Sequence, residues 1–168
     1  MIRYAIDRCS LGWVLAGAND KGLCSIELGD DPDSLRSTLQ SRFPDATLEQ
    51  VTDNLGGILP KVIRFLDAPQ SSLDLPLSIE GTGFQQRVWE ALRTIPAGQT
   101  VSYAELAAKV GSPKAVRAVA SACAANRLAV VIPCHRVVRS DGNLSGYRWG
   151  VDRKRALLSR EAASVIAA

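Results

Sequence analysis

The spacing of apolar residues changes near residue 80, and this change constrains the fold more than any other feature of the chain. Before it, three short strand-like segments alternate with turns rich in Gly, Asn and Asp, which predicts an antiparallel meander. The predicted strands and the helical patterns that follow them cover residues 3–7, 13–18, 23–28, 35–43 and 58–66. After residue 80, most segments have helical spacing. The 168 residues therefore form two predicted subdomains, 1–80 and 81–168.

Net charge reverses at the same boundary. Residues 1–80 carry 7 Lys/Arg and 12 Asp/Glu, a net charge of −5, whereas residues 81–168 carry 13 Lys/Arg and 5 Asp/Glu, a net charge of +8. A basic half is typical of a solvated surface, and also of a protein that binds nucleic acid, because clustered Lys and Arg side chains release counterions from phosphates. Charge by itself leaves both interpretations open.

Composition excludes several other classes of protein. With 46% hydrophobic and 22% charged residues, the chain has the makeup of a globular protein and not of a disordered one. No apolar run reaches the roughly 18–20 residues that cross a membrane. The N-terminus also lacks the apolar stretch of a signal peptide. We therefore expect a soluble, cytoplasmic protein.

A helix-turn-helix pattern lies in the basic half. Ser102 and Glu105 have the spacing of a capping box, in which each side chain binds a backbone N–H near the other. Gly111 suits the left-handed end of the helix that this box begins. Ser112-Pro113 then predicts the start of a second helix over residues 114–125. An ordinary helical hairpin is the alternative to a DNA-binding unit.

The second of these helices is made mainly of Ala and Ser around one arginine, Arg117. Small side chains would let the helix approach DNA closely. However, it lacks the several Asn, Gln or Arg side chains that read base edges in the major groove. The helix therefore favours sequence-independent binding in the minor groove, with Arg117 entering the base stack.

Cysteine and histidine usage points to one place for chemistry. The four cysteines, Cys9, Cys24, Cys123 and Cys134, include no C-x-x-C pair, which argues against a zinc ribbon or a thioredoxin-like motif. The single histidine, His135, directly follows Cys134. A free thiol has a pKa of about 8.5, so a neighbouring base would raise its thiolate fraction at neutral pH. His135 could be that base, with a carboxylate orienting its ring.

The local conformation at this pair matters for the chemistry. Pro133 keeps the residue before it extended, so the apolar run of residues 129–132 predicts a short strand that ends near Cys134. Adjacent side chains on a strand point to opposite faces, so communication between Cys134 and His135 would need a bridging water or a local turn. A buried structural cysteine is the alternative, since Cys is among the most buried residue types.

The run Val131-Ile132-Pro133-Cys134-His135-Arg136-Val137-Val138 resembles the signature of the methylated-DNA–protein-cysteine methyltransferases, the O6-alkylguanine-DNA alkyltransferase family. Residues 82–161 are similar to the family's C-terminal domain, and residues 1–80 resemble its more variable N-terminal subdomain. Residues 114–126 and 144–150 are particularly similar to the C-terminal domain of Ada-type adaptive-response members.

The resemblance implies a two-part fold. Residues 1–80 would form an α/β subdomain, ribonuclease H-like, with a small antiparallel sheet plus helices. Residues 81–168 would form a mainly α, winged-helix-like domain with a helix-turn-helix, which binds DNA and holds the alkyl acceptor.

The resemblance also implies a reaction, namely DNA repair by direct damage reversal. Cys134 would take the alkyl group from O6-alkylguanine, or from O4-alkylthymine, in an irreversible single turnover that needs no cofactor and no metal. His135 would act as the base through a water molecule, and Glu161 would orient its ring. Tyr103 would donate a hydrogen bond to the leaving guanine, and Asn126 would brace the turn around Cys134.

The family's partner is double-stranded DNA that contains an alkylated base, which flips out of the helix. We expect the chain to bind it as a monomer, in the nucleoid of the cytoplasm. The residues that match the family's DNA contacts are Arg117, Ala118, Ser102, Lys114, Ala122 and Arg136. Those that match its alkylguanine pocket are Val137, Leu144, Ser145, Gly146 and Trp149.

Departures from the family pattern leave further expectations. Leu144 replaces a tyrosine and, together with Trp149, is expected to narrow the pocket and to disfavour bulky alkyl groups. Cys9 and Cys24 have no histidine near them, which predicts no structural zinc. A non-catalytic damage sensor of the alkyltransferase-like type and a Cys-His hydrolase are the alternatives. The presence of Cys134 argues against the first, and the lack of an oxyanion-hole motif argues against the second.

Overall fold

The computed structural model describes residues 1–68 and 72–167, and the chain divides into two compact units. The first comprises residues 1–79 together with 127–129, and the second comprises residues 80–126 and the chain from residue 130 onward. The sequence predicts a polar, proline-punctuated connection at residues 69–76, of which 69–71 lie outside the described residues. No described helix is long and apolar enough to cross a membrane.

The first unit is built on a four-stranded sheet in the order β3-β2-β1-β4. The strands are β1 (Ile2–Cys9), β2 (Gly12–Asn19), β3 (Gly22–Gly29) and β4 (Leu48–Gln50). The first three form the predicted antiparallel meander. Strand β4, however, pairs parallel to β1, so the expectation of a purely antiparallel sheet is wrong. A parallel neighbour needs a crossover connection, and helix α1 (Pro32–Arg42) lies within that crossover.

Helix α1 begins earlier than its apolar pattern indicates. Asp31 is the N-cap, because its side chain accepts a hydrogen bond from Ser34 N at 2.8 Å, and Pro32 occupies the first turn. The buried Leu35 and Leu39 pack with Tyr4 and Leu15 to form a core on this face of the sheet. The second helix of the unit is α2 (Ile58–Asp67), which contacts β1 and β2.

A short segment from far along the chain completes the first unit. Ile26 N in β3 donates to Arg127 O at 2.9 Å, and Ala129 N donates to Ile26 O at 3.1 Å. Residues 127–129 therefore join the edge of the sheet, although both neighbouring segments belong to the second unit.

The second unit is mainly helical, as predicted. Its elements are α3 (Gly83–Arg93), β5 (Val101–Ser102), α4 (Tyr103–Lys109), α5 (Val116–Ala124), a 3-10 turn (Cys134–Arg136), β6 (Val137–Val138) and α6 (Val151–Ala167). The predicted capping box at Ser102 and Glu105 is confirmed, with bonds of 3.0 and 3.2 Å. The buried Trp89 Nε1 donates to Ala122 O at 2.8 Å and ties α3 to α5.

The turn between α4 and α5 differs from the prediction. Gly111 has φ +80°, and its N–H donates to Ala108 O at 3.0 Å, while Ser112 N donates to Ala107 O at 2.9 Å. These paired bonds form a Schellman motif, so Ser112 ends α4 and does not begin α5. Helix α5 starts only at Val116, without a side-chain cap. The predicted helix start at Ser112-Pro113 is therefore wrong.

Candidate active site

Cys134 lies in a tight turn rather than at the end of a strand. Pro133 has φ −82° and ψ 61°, and Cys134 N donates to Ile132 O at 2.8 Å, which is the geometry of an inverse γ-turn. The strand predicted for residues 129–132 is wrong, because Val130 has φ +70° and the chain turns there. A 3-10 turn (Cys134–Arg136) follows, so a local turn, one of the two alternatives expected for the Cys134–His135 pair, is present.

The Cys134 side chain is almost completely buried, with 6% of its surface exposed. Burial raises the pKa of its thiol to about 11, although a hydrogen bond from Asn126 and the charge of Lys154 oppose this rise. Asn126 Nδ2 lies 3.4 Å from Sγ and donates to Ile132 O at 2.9 Å. Cys134 is therefore a thiol at neutral pH, and a base is needed to activate it.

His135 and Glu161 form a buried pair beside the thiol. His135 Nε2 lies 2.6 Å from Glu161 Oε1, and both side chains are fully buried. Although burial alone would raise the pKa of Glu161, hydrogen bonds from His135 and Arg136 lower it to about 2, so the carboxylate is ionised. Burial lowers the pKa of His135 and outweighs the attraction of Glu161. The ring is therefore neutral, and its Nδ1 has no hydrogen-bond partner among the described residues.

Arg136 points into this site and not toward solvent. Only 7% of the residue is exposed. Its guanidinium binds both oxygens of Glu161, at 2.8 to 3.2 Å, and Nη1 donates to Ile95 O at 2.6 Å. The interpretation of Arg136 as a DNA contact is wrong, because the side chain is buried and its guanidinium binds Glu161 and the Ile95 carbonyl inside the protein.

Lys154 is a site residue that the sequence reasoning missed. It is fully buried, and Nζ donates to Val137 O at 2.6 Å and to Ser145 Oγ at 3.0 Å. Ser145 Oγ in turn lies 2.7 Å from the Tyr103 hydroxyl. Burial lowers the pKa of Lys154 and raises that of Tyr103. The spacing of Lys154 from Glu161 could have identified it from the sequence, because Lys154 lies two helical turns before Glu161 and hence on the same face of α6.

A cavity of about 280 Å³ opens onto the cysteine. Its lining residues are Tyr103, Ala120, Cys123, Ala124, Cys134, Gly146, Tyr147 and Arg148. Gly146 is the one predicted pocket residue among them. Trp149 is buried and packs edge-on against the Tyr147 ring, 5.2 Å between centroids.

The remaining predicted pocket residues are not among those that line this cavity. Val137 is fully buried, Ser145 belongs to the Lys154 network, and Leu144 is half-buried. The prediction of pocket residues missed Cys123, Tyr147 and Arg148, although all three lie in the runs 114–126 and 144–150 that carry the family resemblance.

The predicted DNA contacts separate into two groups. Lys114, Arg117 and Ala118 are exposed around the start of α5. Ser102 and Ala122 are buried, and the Ser102 hydroxyl caps α4. Their side chains are therefore turned away from solvent, and their assignment as DNA contacts stays a prediction that would depend on main-chain groups.

The described residues contain no group of three or more His, Cys, Asp and Glu side chains that could hold a metal ion.

Cys24 lies in the first unit, away from the Cys134 turn in the chain. It is buried, and its Sγ donates a hydrogen bond to Gly17 O at 3.5 Å.

Comparison with known proteins gives a consistent result. The family model described as "6-O-methylguanine DNA methyltransferase, DNA binding domain" matches residues 83–163. The chain is 56% identical over 161 residues to the bifunctional transcriptional activator/DNA repair enzyme Ada of Escherichia coli, which covers 96% of this chain and 46% of that protein. The chain thus spans about half the length of this relative.

Two further relatives match over nearly their whole length. The methylated-DNA–protein-cysteine methyltransferase of Mycolicibacterium paratuberculosis is 35% identical over 161 residues, which are 96% of this chain and 93% of that protein. The crystal structure of Mycobacterium tuberculosis OGT in complex with DNA has a TM-score of 0.81 and 33% identity, and the match covers 96% of this chain and 93% of that one.

Proposed function

Because this chain belongs to the methylated-DNA–protein-cysteine methyltransferase family, we propose that it repairs DNA by direct damage reversal. It transfers the methyl group of O6-alkylguanine, or of O4-alkylthymine, to its own Cys134. The observation that carries this proposal is the position of the Cys134 thiol, which lies at a cavity beside Tyr103 and next to the buried His135–Glu161 pair.

The proposed reaction is a single displacement at the alkyl carbon. The Cys134 thiol gives its proton, through a water molecule, to Nδ1 of the neutral His135. Sγ then forms a bond to the methyl carbon as the carbon–O6 bond breaks, and the electron pair of that bond stays on guanine. Tyr103 donates a proton to the departing base. Solvent returns His135 and Tyr103 to their resting states after the base leaves, whereas the thioether on Cys134 remains, so each molecule acts once.

The proposed DNA-binding and alkyl-acceptor domain is residues 81–168, nearly all of which belong to the second unit. Its substrate is double-stranded DNA that contains an alkylated base, which the protein binds as a monomer, without sequence preference and from the minor groove. Lys114 and Arg117 are exposed on the helix-turn-helix, where they could contact phosphates and fill the gap left by the flipped nucleotide. The mixed sheet with its helices supports a ribonuclease H-like first unit, and the β5–β6 pair beside the helices supports a winged-helix-like second unit.

The test is to incubate the protein with duplex DNA that contains O6-methylguanine and to identify the modified peptide by mass spectrometry. We expect one methyl group on Cys134, one repaired guanine for each protein molecule, and no turnover beyond that. Cys134→Ala should abolish transfer and largely preserve DNA binding, whereas Cys9→Ala, in the first unit, should leave transfer unchanged. Tight binding without transfer would instead identify a damage sensor, and turnover of esters would identify a hydrolase.

A further inference from the structure

The guanidinium of Arg136 binds both oxygens of the Glu161 carboxylate. Nη2 donates to Oε1 at 2.8 Å, and Nε lies 3.0 Å from Oε2 and 3.2 Å from Oε1. Nη1 extends in another direction and donates to the Ile95 carbonyl at 2.6 Å. Arg136 therefore has one anchor on the segment after α3 and a planar fork on α6. A planar fork binds both oxygens of a carboxylate and so restricts its rotation.

The Arg136 fork fixes the orientation of the carboxylate oxygen that contacts the His135 ring. Glu161 Oε1 also lies 2.6 Å from His135 Nε2, and an ionised carboxylate can only accept hydrogen bonds. The ring must therefore carry its proton on Nε2, which leaves Nδ1 as its acceptor, because the hydrogen bond at one ring nitrogen sets the state of the other. A carboxylate held by His135 alone could rotate away. It would also attract a second proton to the ring more strongly, since the positive charge bound directly to it would be gone.

We infer that Arg136 is a positioning residue, which holds Glu161 so that His135 keeps its proton on Nε2 and remains neutral, with Nδ1 ready to accept the proton of Cys134. The inference rests on the proposed function for its chemical purpose. The proton arrangement itself, however, can be measured whether or not the protein transfers a methyl group.

Several charged or titratable groups lie near His135 in the structure or in the chain. Glu161 and Lys154 come from α6, Arg136 and Cys134 are its neighbours in the 3-10 turn, and the Tyr147 ring stands edge-on at 6.4 Å between centroids. Among these groups, Arg136 is the cation that binds Glu161 directly. Replacing Arg136 therefore removes the positive charge bound to Glu161, and so changes the protonation of the His135 ring, while the other groups stay in place.

The deciding experiment is nitrogen-15 NMR of the histidine ring, which is unambiguous because the chain has a single histidine. In the wild-type protein we expect only the Nε2–H tautomer. In Arg136→Met we expect mixed tautomers and a His135 pKa that rises by about 1 or more. Arg136→Lys retains a charge without the fork, so we expect a smaller rise of the pKa together with mixed tautomers. If Arg136→Met does not fold, this lysine variant decides the question.

The matched control is Arg155→Met. Arg155 lies on the exposed face of α6 and pairs with Asp152 at 2.9 Å, so its loss should leave the histidine signals unchanged. An unchanged His135 tautomer in a folded Arg136 variant would overturn the inference and reduce Arg136 to a structural role.

Methyl transfer provides a second readout. For Arg136→Met, the acidic limb of the rate–pH profile should move to higher pH by the same amount as the His135 pKa. In a second variant, Arg136→Ala, millimolar methylguanidinium should occupy the place of the missing side chain and partly restore the rate–pH profile of the wild type. A lower rate with an unmoved profile would contradict the inference. If no protein, wild type included, transfers methyl groups, the proposed function fails while the NMR result still decides the role of Arg136.

Discussion

The side-chain amide of Asn126 lies 3.4 Å from the Sγ of Cys134 and donates to the Ile132 carbonyl at 2.9 Å. One side chain thus connects the end of the helix-turn-helix to both sides of the Pro133 turn. The turn's own backbone bonds are local, from Cys134 N to Ile132 O and from Arg136 N to Pro133 O. Asn126 is therefore the link between the proposed DNA-binding helices and the proposed nucleophile.

Asn126→Ala should destabilise the fold by about 1–3 kcal/mol, because the buried Ile132 carbonyl loses its donor. The pKa of Cys134 should also rise, since the amide hydrogen bond lowers it. Urea unfolding measures the first effect, and the pH dependence of iodoacetamide labelling of Cys134 measures the second. Asn143→Ala is the control, because Asn143 lies in an exposed turn, and it should change stability by less than about 0.5 kcal/mol.

Lys154→Met should slow the reaction of the thiol. The Lys154 charge lowers the pKa of Cys134, so its removal should reduce the thiolate fraction at pH 8 by about tenfold for each unit by which that pKa rises, and lower the labelling rate by a smaller factor. The Val137 carbonyl also loses a donor, so unfolding should become easier. Lys109→Met, at an exposed position of α4, is the matched control. Equal labelling rates in both variants would show that Lys154 does not act on the thiol.

Arg117→Ala should impair repair of duplex DNA but not of the free base. If Arg117 fills the gap left by a flipped nucleotide, its loss should slow repair of methylguanine in a duplex by about ten- to a hundredfold, since flipping costs a few kcal/mol. Free O6-methylguanine needs no flipping, so its rate should stay constant. Arg93→Ala, an exposed arginine on α3, is the control. A parallel loss on both substrates would place Arg117 in the chemistry and not in flipping.

The free energy of unfolding should fall as pH drops from about 7 to 5. Burial holds the pKa of His135 below its ordinary value of 6.5, so below pH 6.5 the unfolded chain binds a proton that the folded chain does not. The Glu161 carboxylate acts in the same direction at lower pH, because its pKa falls from 4.5 to about 2 on folding. Urea titrations across this range measure the slope.

His135→Gln is the control for this dependence. Since the chain has one histidine, the slope between pH 7 and 5 should largely disappear in this variant, while the loss of stability below about pH 4.5 should remain. A slope that persists between pH 7 and 5 would have to come from a group other than His135.

Much of the fold follows from signals between near neighbours in the chain. Asn19 accepts hydrogen bonds from Lys21 N and Gly22 N, and Ser102 exchanges bonds with Glu105, so the sequence predicts both the turn and the helix start. The prediction failed at Ser112, where two local signals compete. Ser112 suits the start of one helix, but its N–H closes the previous helix instead.

The site likewise combines features that the sequence predicts with features that it does not. Cys134 and His135 are adjacent, so their spacing indicated chemistry, and the family resemblance supplied Glu161. Neither predicted the burial of Lys154, which stands between Arg153 and Arg155 in a run of basic residues typical of a solvated helix face.

The sequence by itself determined the strand–turn pattern, the helix caps, the basic second half and the reactive pair, because each depends on residue types or on contacts a few positions apart. Only the tertiary structure decided which cations serve the site. Arg136, Arg117 and Lys154 have similar charges in the sequence, yet Arg117 is exposed, Arg136 binds Glu161, and Lys154 is fully buried. The difference is desolvation, which depends on partners far along the chain and which no local pattern records.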